Sequence, residues 1–193
     1  MNPGAIPAWT AAGVLPPINS AQPVSPERSP YVVSLTDYVL RFSDTPERRT
    51  VLGGLLRYRS ALHAVGFRSG FQWLDGSFLE HVERIEGRAP RDVDVVTFYR
   101  LPPGRTQRDM VSASPSLFLD HAGVKATYFV DGYHEHLGME AEMLTKRIAY
   151  WYSVWSHRRT QLWKGFVQVD LAPAEDATAA ATLASLSCQG GRP

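Results

Sequence analysis

The chain has 193 residues, of which 44% are apolar and 20% charged. Its 20 basic residues (17 Arg and 3 Lys) nearly cancel 19 acidic ones, for a net charge of +1. These values exclude a globally disordered chain, an acidic tail protein and a protein held to nucleic acid by bulk charge alone, but not a local basic patch. The single cysteine, Cys188, excludes an intramolecular disulfide and any multi-cysteine zinc or iron–sulfur site, and fits a reducing cytoplasm.

Residues 1–20 have no basic start and carry Pro3, Pro7, Pro16 and Pro17, so no secretion signal is expected. No run approaches roughly 18 apolar residues, so no membrane span is expected. Seven of the 14 prolines fall in residues 1–30. Each fixes φ and removes a donor, so this arm is neither helix nor central strand. Its Ile6, Trp9, Val14, Leu15 and Ile18 suit either an arm laid on the domain or a mobile leader.

Ser34-Leu-Thr-Asp37 has the spacing of a capping box and predicts a short helix to about Phe42. Thr45-Pro46 is a helix start, a hydroxyl cap followed by proline at the first helical position. Val51, Leu55, Tyr58, Leu62 and Val65 then mark one helical face, and Gly66 ends it. Gly53-Gly54 weakens this helix by about 1 kcal/mol per glycine and suits a close helix contact.

Phe71–Leu74 alternates like a strand, Asp75-Gly76-Ser77 turns it, and Phe78 to about Arg84 reads as helix. Asp92–Tyr99 is the strongest strand signal, ended by Leu101-Pro-Pro-Gly104. Thr106–Ala113 and Ser116–His121 read as short helices, and Ala126–His136 as a strand. Met139 to about His157 is a long helix with Leu144, Ile148, Trp151 and Trp155 on one face. Trp163–Leu171 is the last strand. This order predicts an α+β domain, a mixed sheet with packed helices, over residues 31–171. Residues 172–193, rich in Ala, Ser, Thr and Gly, read as a mostly disordered tail with a frayed helix near Ala177–Leu186.

Asp92 and Asp94 lie two apart on the predicted strand, so they share a face about 6.6 Å apart, while Val93 and Val95 point to the packed side. Two carboxylates on one face repel unless a cation lies between them, and Mg²⁺ prefers carboxylate and phosphate oxygens. The alternative for the pair alone is a solvated strand face. The preceding turn adds to it. Gly76 permits a tight turn, and Ser77 at a helix start would offer N–H groups and a hydroxyl to a phosphate.

Gly76-Ser77 followed by Asp92-Val93-Asp94-Val95 resembles the signature of the nucleotidyltransferases related to DNA polymerase beta. The gap of fourteen residues, Phe78 to Arg91, is somewhat longer than usual there. Within that superfamily, Ser29-Pro-Tyr-Val-Val-Ser-Leu-Thr-Asp37, Arg57-Tyr-Arg59, Gly70–Phe78 and Trp163-Lys-Gly165 look similar to small, poorly characterised bacterial proteins. The resemblance spans most of Ser29 to Asp170 and implies a minimal nucleotidyltransferase fold.

It also implies a third carboxylate on a later strand. Asp131, in Lys125-Ala-Thr-Tyr-Phe-Val-Asp131-Gly-Tyr, is favoured over Asp120, which precedes that strand. The implied site holds two Mg²⁺ ions (or Mn²⁺) on Asp92, Asp94 and Asp131. Gly76 and Ser77 hold the phosphates of a nucleoside triphosphate, ATP or another, and Lys164 is a further phosphate contact. A nucleotide would pass to a protein, a tRNA end or a small molecule with loss of pyrophosphate. Small members of the superfamily often act beside a partner protein, as toxin or antitoxin. The competing expectation is a catalytically silent module of the same fold.

Two further patterns stand apart from the signature. Lys146, Arg147, Arg158, Arg159 and Lys164 form a base-only stretch with Trp151, Trp155 and Trp163 among them, a candidate RNA or triphosphate contact or a solvated surface. His134-Glu-His136 has zinc-like spacing, but no third ligand accompanies it, so it reads as a surface pair.

Overall fold

A computed structural model describes residues 5–189; the outer ends of the expected arm and tail, residues 1–4 and 190–193, lie outside the described residues. The described residues form eight α-helices and a five-stranded mixed sheet. In chain order these are β1 (Tyr31–Val32), α1 (Leu35–Phe42), α2 (Pro46–Val65), β2 (Gly70–Asp75), α3 (Val82–Ile85) and β3 (Val93–Tyr99). Then follow α4 (Gln107–Ala113), α5 (Pro115–Leu119), α6 (His121–Tyr128), β4 (Val130–His136), α7 (Ala141–Trp155), β5 (Val167–Asp170) and α8 (Asp176–Gln189). The α+β class is as expected.

The helix caps explain where α1 and α2 begin. Ser34 Oγ accepts from Asp37 N, and Thr45 Oγ1 accepts from Arg48 N with Pro46 opening the helix. Gly66, at φ 108°, ends α2 in the left-handed region that favours glycine. At Gly54 a Cβ would lie 2.0 Å from the carbonyl oxygen of Tyr128, so α2 meets the end of α6 at a distance only glycine allows.

The sheet order is β1-β5-β2-β3-β4. β2 pairs antiparallel with β3 and β5, while β1–β5 and β3–β4 are parallel. Side chains alternate across a strand, so register assigns the faces. Leu74, Val93, Val95, Val167 and Val169 are buried on one face. The other face carries Asp75, Asp94 and Asp131 at one end, then Trp73, Val96 and Tyr133, then Phe71, Phe98 and Glu135. Helix α7 covers part of that face, with Trp151 4.7 Å from Tyr133 and Trp155 5.9 Å from Phe166 between ring centroids.

The described parts of the arm and of the C-terminal segment belong to the domain. Val14 and Leu15 are buried, and Trp9 donates Nε1–H to Leu79 O at 2.7 Å while stacking on His81. The arm is therefore laid on the domain. Residues 172–189 correct the expectation of a disordered tail. Arg59 of α2, fully buried, is bonded by Nε and Nη2 to Asp176 at 2.9 and 2.7 Å, and Ala179 and Leu183 are buried. Small residues conceal this helix in composition, because its anchor is a buried ion pair rather than large apolar side chains.

The predicted strand from Ala126 also needs correction. Residues up to Tyr128 form α6, and Phe129, at φ 56°, turns the chain into β4. Among the described residues no helix is long and apolar enough to cross a membrane.

Candidate active site

Three aspartates meet because three strand ends meet. Asp75 ends β2, and the ladder places it opposite Asp94 on β3. Asp94 in turn stands opposite Asp131 on β4. Neighbouring strands lie about 4.8 Å apart, so the carboxylates form a lateral row. Asp92 precedes β3 by one residue instead of lying on it, yet it remains beside the row. The structure thus brings together Asp92, Asp94 and Asp131, and adds Asp75, which the sequence reading treated only as part of a turn.

Gly76 is required twice over. Its φ of 85° suits glycine, and a Cβ there would lie 2.9 Å from the Asp94 carboxylate. The missing side chain lets the Asp94 carboxylate pack directly against the Gly76 backbone.

Ser77 departs from expectation. It opens a three-residue 3₁₀ turn, Ser77–Leu79, and α3 beyond it has only four residues. No long helix presents its N-terminus to a phosphate here. Instead the segment is held as an irregular span. Arg48, fully buried, donates to Phe78 O at 2.7 Å and Glu80 O at 2.6 Å, and pairs with Glu83. His81 N donates to Gly13 O, and Trp9 holds Leu79 O. The long gap after Gly76-Ser77 is thus braced by α2 and the N-terminal arm.

Two lysines compensate part of the negative charge. Lys164 is 5% exposed and lies 2.8 Å from Asp75 and 3.3 Å from Glu80. Its ammonium, expected to meet a phosphate, is engaged by these carboxylates. Lys125, on α6, lies 2.6 Å from Asp92 and 3.4 Å from Asp131, with its side chain 48% exposed. Lys125 carries no local signal of this role, because the residues after it read as a strand whereas they continue α6. Glu80 carries none either, because nothing local marks a carboxylate that will face a lysine 84 residues later.

The charges follow from this arrangement. Burial, followed by the charges of Asp75, Asp131 and Asp92, pushes the Asp94 carboxyl up to about 7. Burial pushes Asp75 up to about 6, against the opposing pull of Lys164, so Asp75 is ionised at neutral pH. Burial alone would lower Lys164, but Asp75 and Glu80 outweigh it and hold the ammonium charged. The hydrogen bond from Lys125 to Asp92 raises that lysine also. Asp94 alone in the row has no lysine of its own.

All donors in the row are carboxylate oxygens, the type that a hard divalent cation such as Mg²⁺ takes. The donor chemistry fits such an ion, and the uncompensated Asp94 lacks positive charge. Their present arrangement is satisfied by Lys125. Among the described residues no group of three or more His, Cys, Asp or Glu side chains is arranged to hold a metal ion.

The base-only stretch does not form a free basic surface. Lys146 pairs with Glu142, Arg147 with Glu135, Arg158 with Glu80 and Glu86, and Lys164 with Asp75, so that of the five bases Arg159 alone is exposed without an ion pair among the described residues. Trp151 and Trp155 are core residues, while Trp163 is 66% exposed. His134 departs from the expected surface pair, being partly buried. It bonds Tyr58 Oη at 2.9 Å, and burial, then the nearby His121, lowers its imidazole to about 4.

Fold and site together define an α+β domain with a carboxylate row at one sheet end, beside a glycine turn. The chain belongs to a family described as a family of unknown function (DUF6932), which matches residues 7–170. That span takes in most of the N-terminal arm together with the sheet. No curated protein and no solved structure shows a significant match to the chain.

Proposed function

We propose that this protein is a Mg²⁺-dependent nucleotidyltransferase that passes a nucleotide from a nucleoside triphosphate to a protein, tRNA or small-molecule acceptor, releasing pyrophosphate. The observation that carries this reading is Asp94. It is partly buried between two further strand-borne carboxylates, has no ion pair of its own among the described residues, and packs against Gly76, where a Cβ would crowd it. A partly buried carboxylate row of this kind is costly unless a cation completes it. The order of elements is compatible with the resemblance: a strand, a Gly-Ser turn, a strand that carries Asp94 with Asp92 just before it, and an acid on the parallel neighbour.

In this reading Asp92, Asp94 and Asp131 hold Mg²⁺, or Mn²⁺ in its place. The bound ion supplies positive charge to the phosphates and the attacking oxygen. Asp131, partly exposed at the rim, accepts the acceptor's proton. The Ser77 hydroxyl donates to a phosphate oxygen, and Gly76 admits the phosphate chain. Lys125 takes the role first expected of Lys164, because of the two only Lys125 is exposed enough to turn from carboxylate to phosphate. Work beside a partner protein, as toxin or antitoxin, rests on the resemblance alone.

A second reading has its own observation. Lys125 already lies between Asp92 and Asp131, so an internal ammonium does the work of a cation there. On that ground the fold would serve as a silent nucleotide-binding or interaction module. Transfer of label from α-labelled triphosphates to extract protein or RNA separates the two. Mg²⁺-dependent label lost in Asp92→Ala and Asp94→Asn supports the enzyme. Label that persists in both variants, or none with any of the four triphosphates, overturns it.

A further inference from the structure

A second feature lies along the same strand as Asp131. A cavity of about 410 Å³ opens at the outer edge of β4, between the α4–α5 segment and α7. Small-molecule sites typically enclose roughly 300–1,000 Å³. On the α5 side Phe118 sits 5.0 Å from the His134 ring, and on the α7 side Tyr133 sits 4.7 Å from Trp151. Flat aromatic walls of this kind suit a planar ring.

The polar groups of the cavity are unevenly used. Glu135 is 5% exposed, and its Oε1 accepts from Arg147 Nε at 2.8 Å and Trp151 Nε1 at 2.7 Å. Its second oxygen, Oε2, accepts no hydrogen bond from the described residues, although Glu135 lines the cavity. A carboxylate oxygen at the cavity wall with no protein donor is available to a ligand N–H. The backbone adds a second opportunity. β4 is the edge strand, and the bonds Val93 N to Phe129 O and Leu137 N to Tyr99 O turn its odd-numbered residues toward β3. The N–H and C=O of His134 therefore face the open edge, one donor and one acceptor beside Glu135.

We propose that this cavity binds a nucleobase carrying an exocyclic amine, with the ring between the aromatic walls and the amine donating to Glu135 Oε2. The inference rests on the transferase reading and deepens it by placing the base of the nucleotide. The spacing suits that role. Asp131 and Glu135 are four residues apart on one face of a strand, about 13 Å, close to the length of a nucleoside 5′-phosphate. Tyr133 lies between them.

The test is calorimetric titration of the full chain with adenosine, cytidine and uridine, without metal or phosphate. Adenosine and cytidine should bind, and uridine, which lacks the amine, should bind at least tenfold more weakly. Glu135→Gln should remove most of that preference, and Val111→Phe, filling the cavity from its α4 wall, should abolish nucleoside binding. Circular dichroism of both variants checks that they fold. The proposal is overturned if the wild type binds adenosine and uridine equally, if Val111→Phe leaves adenosine binding unchanged, or if no nucleoside binds. Should nucleosides bind while Mg²⁺ and triphosphate have no effect, the cavity stands and the transferase reading falls. Should Mg²⁺-triphosphate bind equally to wild type and Val111→Phe, the cavity assignment falls and the transferase reading stands.

Discussion

Asp94 stands opposite Asp75 in the antiparallel β2–β3 ladder, yet only Asp75 has an ammonium of its own, Lys164 at 2.8 Å. One carboxylate of the pair is compensated from within the fold. The other is left with neighbouring negative charge and burial, and its carboxyl rises to about 7.

That asymmetry sets a pH dependence. The folded Asp94 holds its proton up to about pH 7, whereas an unfolded aspartate loses it near pH 4. Between those values the folded state binds the extra proton, so this group's contribution to stability falls as pH rises and then levels off. Asp94→Asn should therefore be more stable than wild type at pH 8 by roughly 2–4 kcal/mol without divalent metal. The difference should vanish near pH 4. Thermal melts of both proteins across that range check it.

Lys125 acts as the internal competitor of an added cation. Replacing it in Lys125→Gln leaves Asp92 and Asp131 without their ammonium. The metal-free protein should melt lower than wild type. Its half-saturating Mg²⁺ concentration should fall by roughly five- to tenfold, from the loss of a competing charge close to two carboxylates. Mg²⁺ titrations followed by melting temperature measure both effects.

Gly76→Ala tests the close approach of Gly76 to Asp94. A Cβ at 2.9 Å from the carboxylate, on a backbone at φ 85°, should cost about 1–3 kcal/mol in stability. It should also reduce or remove the rise in melting temperature expected of the wild type with Mg²⁺ and triphosphate. A full rise in the variant would show that the Gly76–Asp94 contact plays no part in binding.

The anchor of α8 has a separate consequence. Asp176→Ala removes the carboxylate from Arg59, which is fully buried. Breaking a buried pair from one side costs about 3 kcal/mol, a drop of roughly 6–12 °C in melting temperature for a chain of this size. Nucleotide-dependent stabilisation should persist, since the pair lies away from the carboxylate row. A change below 1 °C would mean that α8 contributes little.

How much of this was legible in the sequence depended on the range of the signal. Ser34, Thr45-Pro46 and Gly66 mark helix ends through local capping chemistry, and those ends fell where expected. Asp92 and Asp94 are legible through strand alternation and spacing, and Asp131 through the resemblance, which implies a third carboxylate on a later strand. Asp75 went unused because its role depends on which strand lies beside β2, and no local pattern states that. Lys164 reads from the sequence as a phosphate contact because its partners, Asp75 and Glu80, are distant in sequence. The base-only stretch misled for the same reason: its acids come from β4, from α7 itself and from the segment after Ser77. The C-terminal helix was obscured because one buried arginine on α2, not its own composition, holds it in place.

The most direct measurement is a crystal structure of the protein with Mg²⁺ and a non-hydrolysable nucleoside triphosphate. The expected result is metal density contacting Asp94 and Asp131, with triphosphate beside Gly76 and Lys125 turned away from Asp92. An acid row that binds neither metal nor triphosphate under saturating conditions, with Lys125 still between Asp92 and Asp131, would contradict the assignment of this row as the catalytic centre.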